Sequence, residues 1–401
     1  MVESTEARSA SSFQLSDSLE RAVVSATLEH WPRDGAPLRA LILAGSLARW
    51  EGSWVEEDGG ITLLGDAELL CLLPDSSAPF RPAAQHALED RAMQHAARQG
   101  FRAEITLTPV RERYLRTLPP HLFGYELRQT GRVLWGDRHA LLLAPEHPAG
   151  SLPREDAWRL LANRLVEVLP AALAPEPTAA SPWSFYPWVK LYLDMATSYL
   201  IFAGEYAPSY GARAERLREL AECRPGLGCG GDTGILTRAF AQQVSACTAW
   251  KLSPDRDIAR VFGPGWRERA LRDAHALWIW EMQQLTAAGS ADLAELWAGW
   301  LRQQPRRSRL RGWASAIRHH GGRRPGLWPR WLRLAGRASP RHWIYQVAMD
   351  LLYERRGEPG RSLALCAAHL PLPPARPPRS AAELAGCVVH NFHRLAHSTR
   401  A

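Results

Sequence analysis

Lysine is nearly missing from this 401-residue chain: Lys190 and Lys251 are the only two. The formal charge of +8 is therefore carried almost wholly by arginine. Such usage points to GC-rich coding more than to a demand for guanidinium, which weakens the inference of polyanion partners from a basic balance. Cysteine is scarce as well. Cys71, Cys223, Cys229, Cys247, Cys366 and Cys387 are scattered with no CxxC pair, so no zinc quartet is present. Cys223, Cys229 and Cys247 remain as a weak ligand set, against the simpler reading of structural thiols kept reduced in the cytoplasm. No apolar run is long enough to cross a bilayer. Met1 to Ser18 lacks the basic region and apolar run of a secretory signal and reads as a frayed leader. The expectation is a soluble cytoplasmic protein with no membrane partner.

What is present is ordinary globular composition, 46% hydrophobic and 22% charged, in a chain long enough for two or three domains. Ser18 to Trp31 carries apolar residues at helical spacing, and Leu38 to Ala44 is a short apolar run ending at glycine, as a buried strand does. Ile61 to Leu73 (ITLLGDAELLCLL) is a second strand candidate, broken in its apolar character by Asp66 and Glu68. Arg81 to Gln99 predicts a helix, Phe101 to Thr108 alternates as a strand should, and Tyr125 to Leu134 finishes with a turn at Gly136-Asp137. Trp50 to Gly60 reads as an inserted polar loop. From Glu155 onward helical periods dominate, through Leu161 to Leu173, Val189 to Ala203, Ala212 to Ala221 and Asp273 to Ala287. The fold class is α+β: a mixed-sheet domain over 1–150, a helical domain over 151–304 with a Pro-rich break at Ala174 to Pro187, and a basic, Trp-rich helical region over 305–401.

The chemistry-bearing residues lie in the first part. In Asp66-Ala67-Glu68 the two acids are two residues apart, so in a strand both project from one face. The flanking leucines imply burial, where carboxylates need hydrogen bonds or a cation, and a hard cation with oxygen ligands such as Mg²⁺ is the natural compensation. Glu104 adds a third acid on another alternating strand. Three carboxylates suit two metal ions spaced for an in-line displacement at phosphorus. Upstream, Gly45-Ser46 follows a strand, where a turn lets backbone N–H groups approach phosphate, with Ser46 as a hydroxyl donor and Arg49 as a bidentate contact. Singly these are an ordinary turn and ordinary strand acids; their order along the chain is what signifies.

Leu41 to Glu68, together with Glu104, resembles the nucleotidyltransferase domain of the DNA polymerase beta superfamily, closest in style to kanamycin nucleotidyltransferase-like and other minimal bacterial members. The resemblance implies that Gly45 and Ser46 hold the triphosphate of an NTP such as ATP. It also implies that Asp66 and Glu68 bind Mg²⁺, with two ions in the site, and that Glu104 completes the metal set near the acceptor hydroxyl. Two features depart from the family pattern. The interval from Ser46 to Asp66 is longer, and the second and third acids are Glu where Asp is commoner. A catalytically inactive nucleotide-binding or interaction module on the same fold therefore stands beside the enzyme reading.

In the helical half, Lys190 stands out because the chain otherwise avoids lysine; a triphosphate contact and chance retention both account for it. Tyr206, Ser209, Tyr210 and Arg213 form either an acceptor pocket across the domain cleft or a packed helix–helix corner. Arg302 to Arg341 contains no acid and interleaves arginines with Trp313, Trp328, Trp331 and His319-His320. This pattern suits a nucleic-acid strand, but a helical core of tryptophans with arginines outside is the simpler reading. The acceptor is left open between a small molecule, a protein hydroxyl and an RNA end.

Overall fold

The computed structural model describes residues 2–32, 37–57, 59–174, 182–223, 236–254, 258, 261–320, 325–354 and 360–396. Five strands make one mixed sheet: β1 (Ala40–Leu43), β2 (Trp54–Glu57), β3 (Gly60–Leu73), β4 (Phe101–Arg111) and β5 (Arg132–Gly136). Among and before them lie α1 (Val2–His30), α2 (Gly45–Ala48), α3 (Pro82–Arg98), α4 (Glu112–Arg116) and α5 (Leu122–Thr130). The helical remainder comprises α6 (Arg154–Leu173), α7 (Pro182–Ala203), α8 (Tyr210–Cys223), α9 (Arg238–Leu252), α10 (Trp266–Thr286), α11 (Leu293–Gln303), α12 (Arg306–His320), α13 (Trp328–Ala335), α14 (Pro340–Met349), α15 (Gly360–Ala367) and α16 (Ala381–Ala396). The chain is thus mixed α and β, mostly helical, with a helical C-terminal region.

The long strand β3 organises the sheet. β4 runs parallel to it along one edge, while β2 and β1 share its other edge as antiparallel partners, β2 over Gly60–Leu63 and β1 over Leu69–Leu72. β5 closes the far side of β1. At the end of β5, Gly136 has φ +88, and a Cβ there would lie 2.1 Å from the Arg39 carbonyl, so only glycine fits this close approach.

Alternation along β3 gives its two faces different partners. Leu63, Ala67, Leu69 and Cys71 pack with Leu19, Val23 and Ala26 of α1 and with Leu88, Ala92 and Ala96 of α3. On the opposite face Leu64 joins the helical core, and Leu70 and Leu72 pack near Leu115 of α4 and Leu127 of α5. Asp66 and Glu68 occupy the same face between these apolar patches. A single buried cluster runs through the helical region from Ala157 to Leu395, with Trp158 and Trp297 each in ring contact with Trp278, Trp300 and one another at its heart.

Two sequence expectations are corrected. The stretch read as an inserted polar loop is a hairpin: β2 pairs with the start of β3, and Glu51, Ser53 and Trp54 are buried. Trp54 packs edge-on against Phe101, which holds the hairpin to the sheet. The stretch read as a frayed leader is continuous in backbone with α1, which begins at Val2. Part of the Pro-rich break, residues 175–181, and Cys229 lie outside the described residues. Cys71, Cys247 and Cys387 are free thiols. No helix among the described residues is long and apolar enough to cross a membrane.

Candidate functional site

Parallel pairing of β3 with β4 sets Asp66 directly opposite Glu104 and Glu68 opposite Thr106. Neighbouring strands lie about 4.8 Å apart and opposed residues share a face, so all three acids project from one side of the sheet. This register depends on an irregularity. Thr62 is opposite Arg102 and Asp66 opposite Glu104, so four steps of β3 match two steps of β4, and the excess is taken up by Leu63, Leu64 and Gly65. Asp66 is half-buried and Glu104 exposed, and neither makes a hydrogen bond or ion pair among the described residues.

Asp66 and Glu104 line a cleft of about 1590 Å³ together with Gly65, Thr106 and Thr108 of the sheet. Facing them are Asn163 and Glu167 of α6, Lys190 and Trp183 of α7, Arg341 of α14 and His393 of α16. The cleft is larger than the roughly 300–1,000 Å³ that suits one small ligand, so it has room for more than one. At its rim the exposed Trp183 indole donates to Glu57 at 3.1 Å, linking α7 to β2. The Lys190 ammonium lies over the Tyr186 ring at 5.4 Å. Its pKa is lowered by the Arg164 guanidinium and by burial, while Asp66 acts in the opposite sense.

The other lysine converges on the same ring. Lys251 Nζ is 5.8 Å from the centre of Tyr186, and the amine is fully buried. Burial, then the charge of Lys190, push its pKa down to about 7. It donates to the Glu51 carbonyl at 3.0 Å, and its own carbonyl accepts from Ser53 Oγ at 2.7 Å. Tyr186 also stands 3.2 Å from where a Cβ on Gly65 would be, so the glycine beside Asp66 lets this helix approach the strand. The rarity that singled out Lys190 applies equally to Lys251, and that signal extends to the pair; nothing in the sequence marked Tyr186 as the ring between them.

The remaining candidates lie elsewhere. Gly45 has φ +70, and a Cβ there would be 3.3 Å from Glu68 Oε2, so the turn is adjacent to the second acid; yet Gly45, Ser46 and Glu68 are not among the residues lining the cleft. Arg49 is buried and ion-paired with Glu51 at 2.8 Å and Glu126 at 3.1 Å. Burial opposes its charge, but Glu126, Tyr210 and Glu51 outweigh this and hold the guanidinium protonated. Tyr206 donates to Glu126, and the Tyr210 N–H donates to Glu51 at 2.7 Å. Arg213 donates to Thr197 Oγ1 at 2.6 Å with its guanidinium 4.4 Å from the Tyr210 ring centre. Ser209 Oγ accepts from the Ala212 N–H at 3.0 Å at the start of α8. The four residues read as an acceptor pocket or a packed corner thus form a filled polar junction between sheet and helices.

In the arginine-rich segment, Trp313 and Trp331 are buried and donate to the carbonyls of Ala338 and Pro371, each at 2.8 Å. They are core residues, unavailable for stacking on bases; Trp328 is 43% exposed. The side chains of His319 and His320 lie outside the described residues. Among the described residues no group of three or more His, Cys, Asp or Glu side chains is gathered closely enough to hold a metal ion. Asp66 and Glu104, opposed in register with Glu68 two residues along the strand, offer only oxygen donors, the type that suits a hard cation. No protein-family model, curated protein or solved structure matches the chain.

Proposed function

We propose that the chain is a Mg²⁺-dependent nucleotidyltransferase that moves a nucleoside monophosphate from an NTP to an acceptor hydroxyl and releases pyrophosphate. The observation that carries this reading is the register pair Asp66–Glu104: two carboxylates without protein partners on the floor of a cleft, with the Lys190 ammonium in the opposite wall. Like charges directly opposed in a sheet are unfavourable by a few tenths of a kcal/mol or more, and a site that keeps them so is suited to a cation. Asp66 and Glu104, with Glu68 beside them, would hold Mg²⁺, which when bound neutralises charge on the transferring phosphoryl group and favours ionisation of the attacking hydroxyl. Lys190 is placed to bind phosphate oxygens as a compact cation. Glu104, open to the cleft, accepts the proton of the acceptor hydroxyl. That oxygen then bonds to the α-phosphorus as the bond to the bridging oxygen breaks, and the electron pair leaves with pyrophosphate.

A second reading, a nucleotide-binding module without activity, is favoured by one observation: Gly45, Ser46 and Glu68 lie outside the cleft lining. Turnover of NTPs with and without Mg²⁺, in the wild chain and in Asp66→Asn, Glu68→Gln and Glu104→Gln, separates the two. Metal-dependent pyrophosphate release lost in the variants is the expected result. Nucleotide binding indifferent to metal and to all three changes, with no turnover, selects the inactive module. Lys190→Ala is expected to weaken NTP binding about tenfold or more, equivalent to at least ~1.4 kcal/mol, and retention of full affinity in Lys190→Arg would remove the special role of lysine.

A further inference from the structure

A second groove, of about 610 Å³, lies beside the cleft and is lined by Arg159, Arg311, Arg318 and Arg341 with Ser308, Ser315 and Ser339, against a single acid among the described residues, Glu155. Arg341 lines both hollows. Helix α6 connects them: Glu155 and Arg159 belong to the groove, Asn163 and Glu167 to the cleft. These residues are spaced by four, so they form one stripe along the helix. Twelve residues at 1.5 Å each make that stripe about 18 Å long. On α16 Leu395 faces the groove and Phe392 and His393 the cleft. The two hollows are thus neighbours along the same two helices, with an arginine at the point they share.

Arg159 is engaged with Glu155 at 3.1 Å and Asp156 at 3.4 Å. Arg311 and Arg318 are exposed and have no ion pair among the described residues. Burial lowers the pKa of His342 to about 3, so its ring adds no charge and the groove's cations are guanidinium groups, whose fork matches phosphate oxygens. Serine hydroxyls between guanidinium groups, repeated along a concave path, suit a chain of phosphodiesters better than one phosphate. For a strand that keeps the stacked helical rise of about 3.4 Å per step, a stripe of ~18 Å spans some five nucleotides. A flat anionic membrane has no means of entering a groove walled by α6, α12 and α14.

We infer that the acceptor is a single-stranded nucleic acid, its backbone held in the arginine groove and its terminal hydroxyl delivered past Arg341 to Glu104. The assignment rests on the transferase reading for what happens at the strand's end, and on the groove alone for binding. The test is fluorescence anisotropy with 5′-labelled single-stranded RNA and DNA oligonucleotides of roughly twice the five-step span, titrated at several salt concentrations without NTP, with anionic lipid vesicles as a third probe. The proteins are the wild chain, Arg311→Ala/Arg318→Ala, and the control Arg91→Ala on the exposed side of α3. The expected result is oligonucleotide binding that weakens with salt, and a double variant bound about tenfold more weakly. Its log–log salt slope should be smaller by about 1.4, two phosphate contacts at ~0.7 each, with Arg91→Ala unchanged. The RNA and DNA arms tell which strand is preferred. Binding that the double variant does not weaken, equal loss in Arg91→Ala, or retention of vesicles without oligonucleotides overturns the inference. Strand binding with no Mg²⁺-dependent extension of the 3′ end would instead remove the transferase reading and leave the groove assigned.

Discussion

Asp66 and Glu104 face an open cleft without a hydrogen-bonding partner among the described residues, whereas Glu51 and Glu126, a short way off in the same part of the chain, are each held by several donors. Glu51 receives Arg49 and the Tyr210 N–H; Glu126 receives Arg49 and the Tyr206 hydroxyl, with Arg213 at 3.9 Å. The contrast separates two uses of charge. Acids at the junction fix the helices against the sheet, and their energy is already committed. Acids on the cleft floor have their interaction left to make, which is the condition for binding something from outside.

The largest effect that tests this contrast is on turnover. Asp66→Asn is expected to reduce NTP consumption by on the order of 10³-fold, since metal-borne charge stabilisation amounts to several kcal/mol, while the melting temperature stays level or rises slightly as repulsion from Glu104 is relieved. A large fall in melting temperature would mean that Asp66 belongs with the junction acids. Glu126→Ala should do the reverse. It leaves Arg49 and Arg213 without their shared carboxylate and is expected to destabilise by about 3 kcal/mol, the scale for breaking a buried pair, as read from denaturant unfolding; unchanged stability would erase the distinction.

How far the sequence displayed this contrast depends on which physical rule applied. Strand alternation depends only on local residues, so Asp66 and Glu68 on one face were legible, as were β4 and most helices. The pairing of Glu104 with Asp66 and not with a neighbour was not legible, because it depends on the length of the irregularity at Leu63–Gly65. Arg49 looked like a ligand contact, and Tyr206 and Arg213 fitted either an acceptor pocket or a packed corner, because a buried ion pair and a binding site use the same residue types. Only the partners, Glu51 and Glu126, tell them apart: Glu51 lies in the stretch that reads as polar loop, and Glu126 on α5, far in sequence from Arg49 and Arg213. The arginine groove was unreadable for a similar reason: Arg159 and Arg311 are far apart in the chain and meet only through helix packing.

A smaller, pH-dependent effect contrasts two buried groups that the cleft does not use. Lys251 is held at about 7, below its ordinary 10.5, by burial and then Lys190; its contribution to stability is present above 10.5 and is lost as pH falls through 7. Glu281, fully buried beside Ser198, is lifted by burial from 4.5 to about 8. Its contribution is present below 4.5 and is lost as pH rises through 8. Melting temperatures across this range should therefore show the wild chain gaining on Lys251→Met, and losing ground to Glu281→Gln, as pH rises. Slopes of one sign for both would contradict the burial of one of them. The smallest effect is expected for Gly45→Ala, where a left-handed φ costs about 1–2 kcal/mol and the new methyl crowds Glu68 Oε2. A modest loss of stability with a larger loss of turnover would tie the turn to the cleft, and equal losses would leave it a turn.

The extra residues in β3 number two, an even count, so the strand re-enters its pairing with β4 without exchanging its faces. Removing one of Leu63, Leu64 or Gly65 would turn Asp66 and Glu68 toward α1 and α3 and expose Ala67 and Leu69 in their place. Removing two would only straighten the strand. Length variants of this segment should therefore come in pairs, with odd deletions failing to fold and even ones folding with Leu64 withdrawn from the helical core.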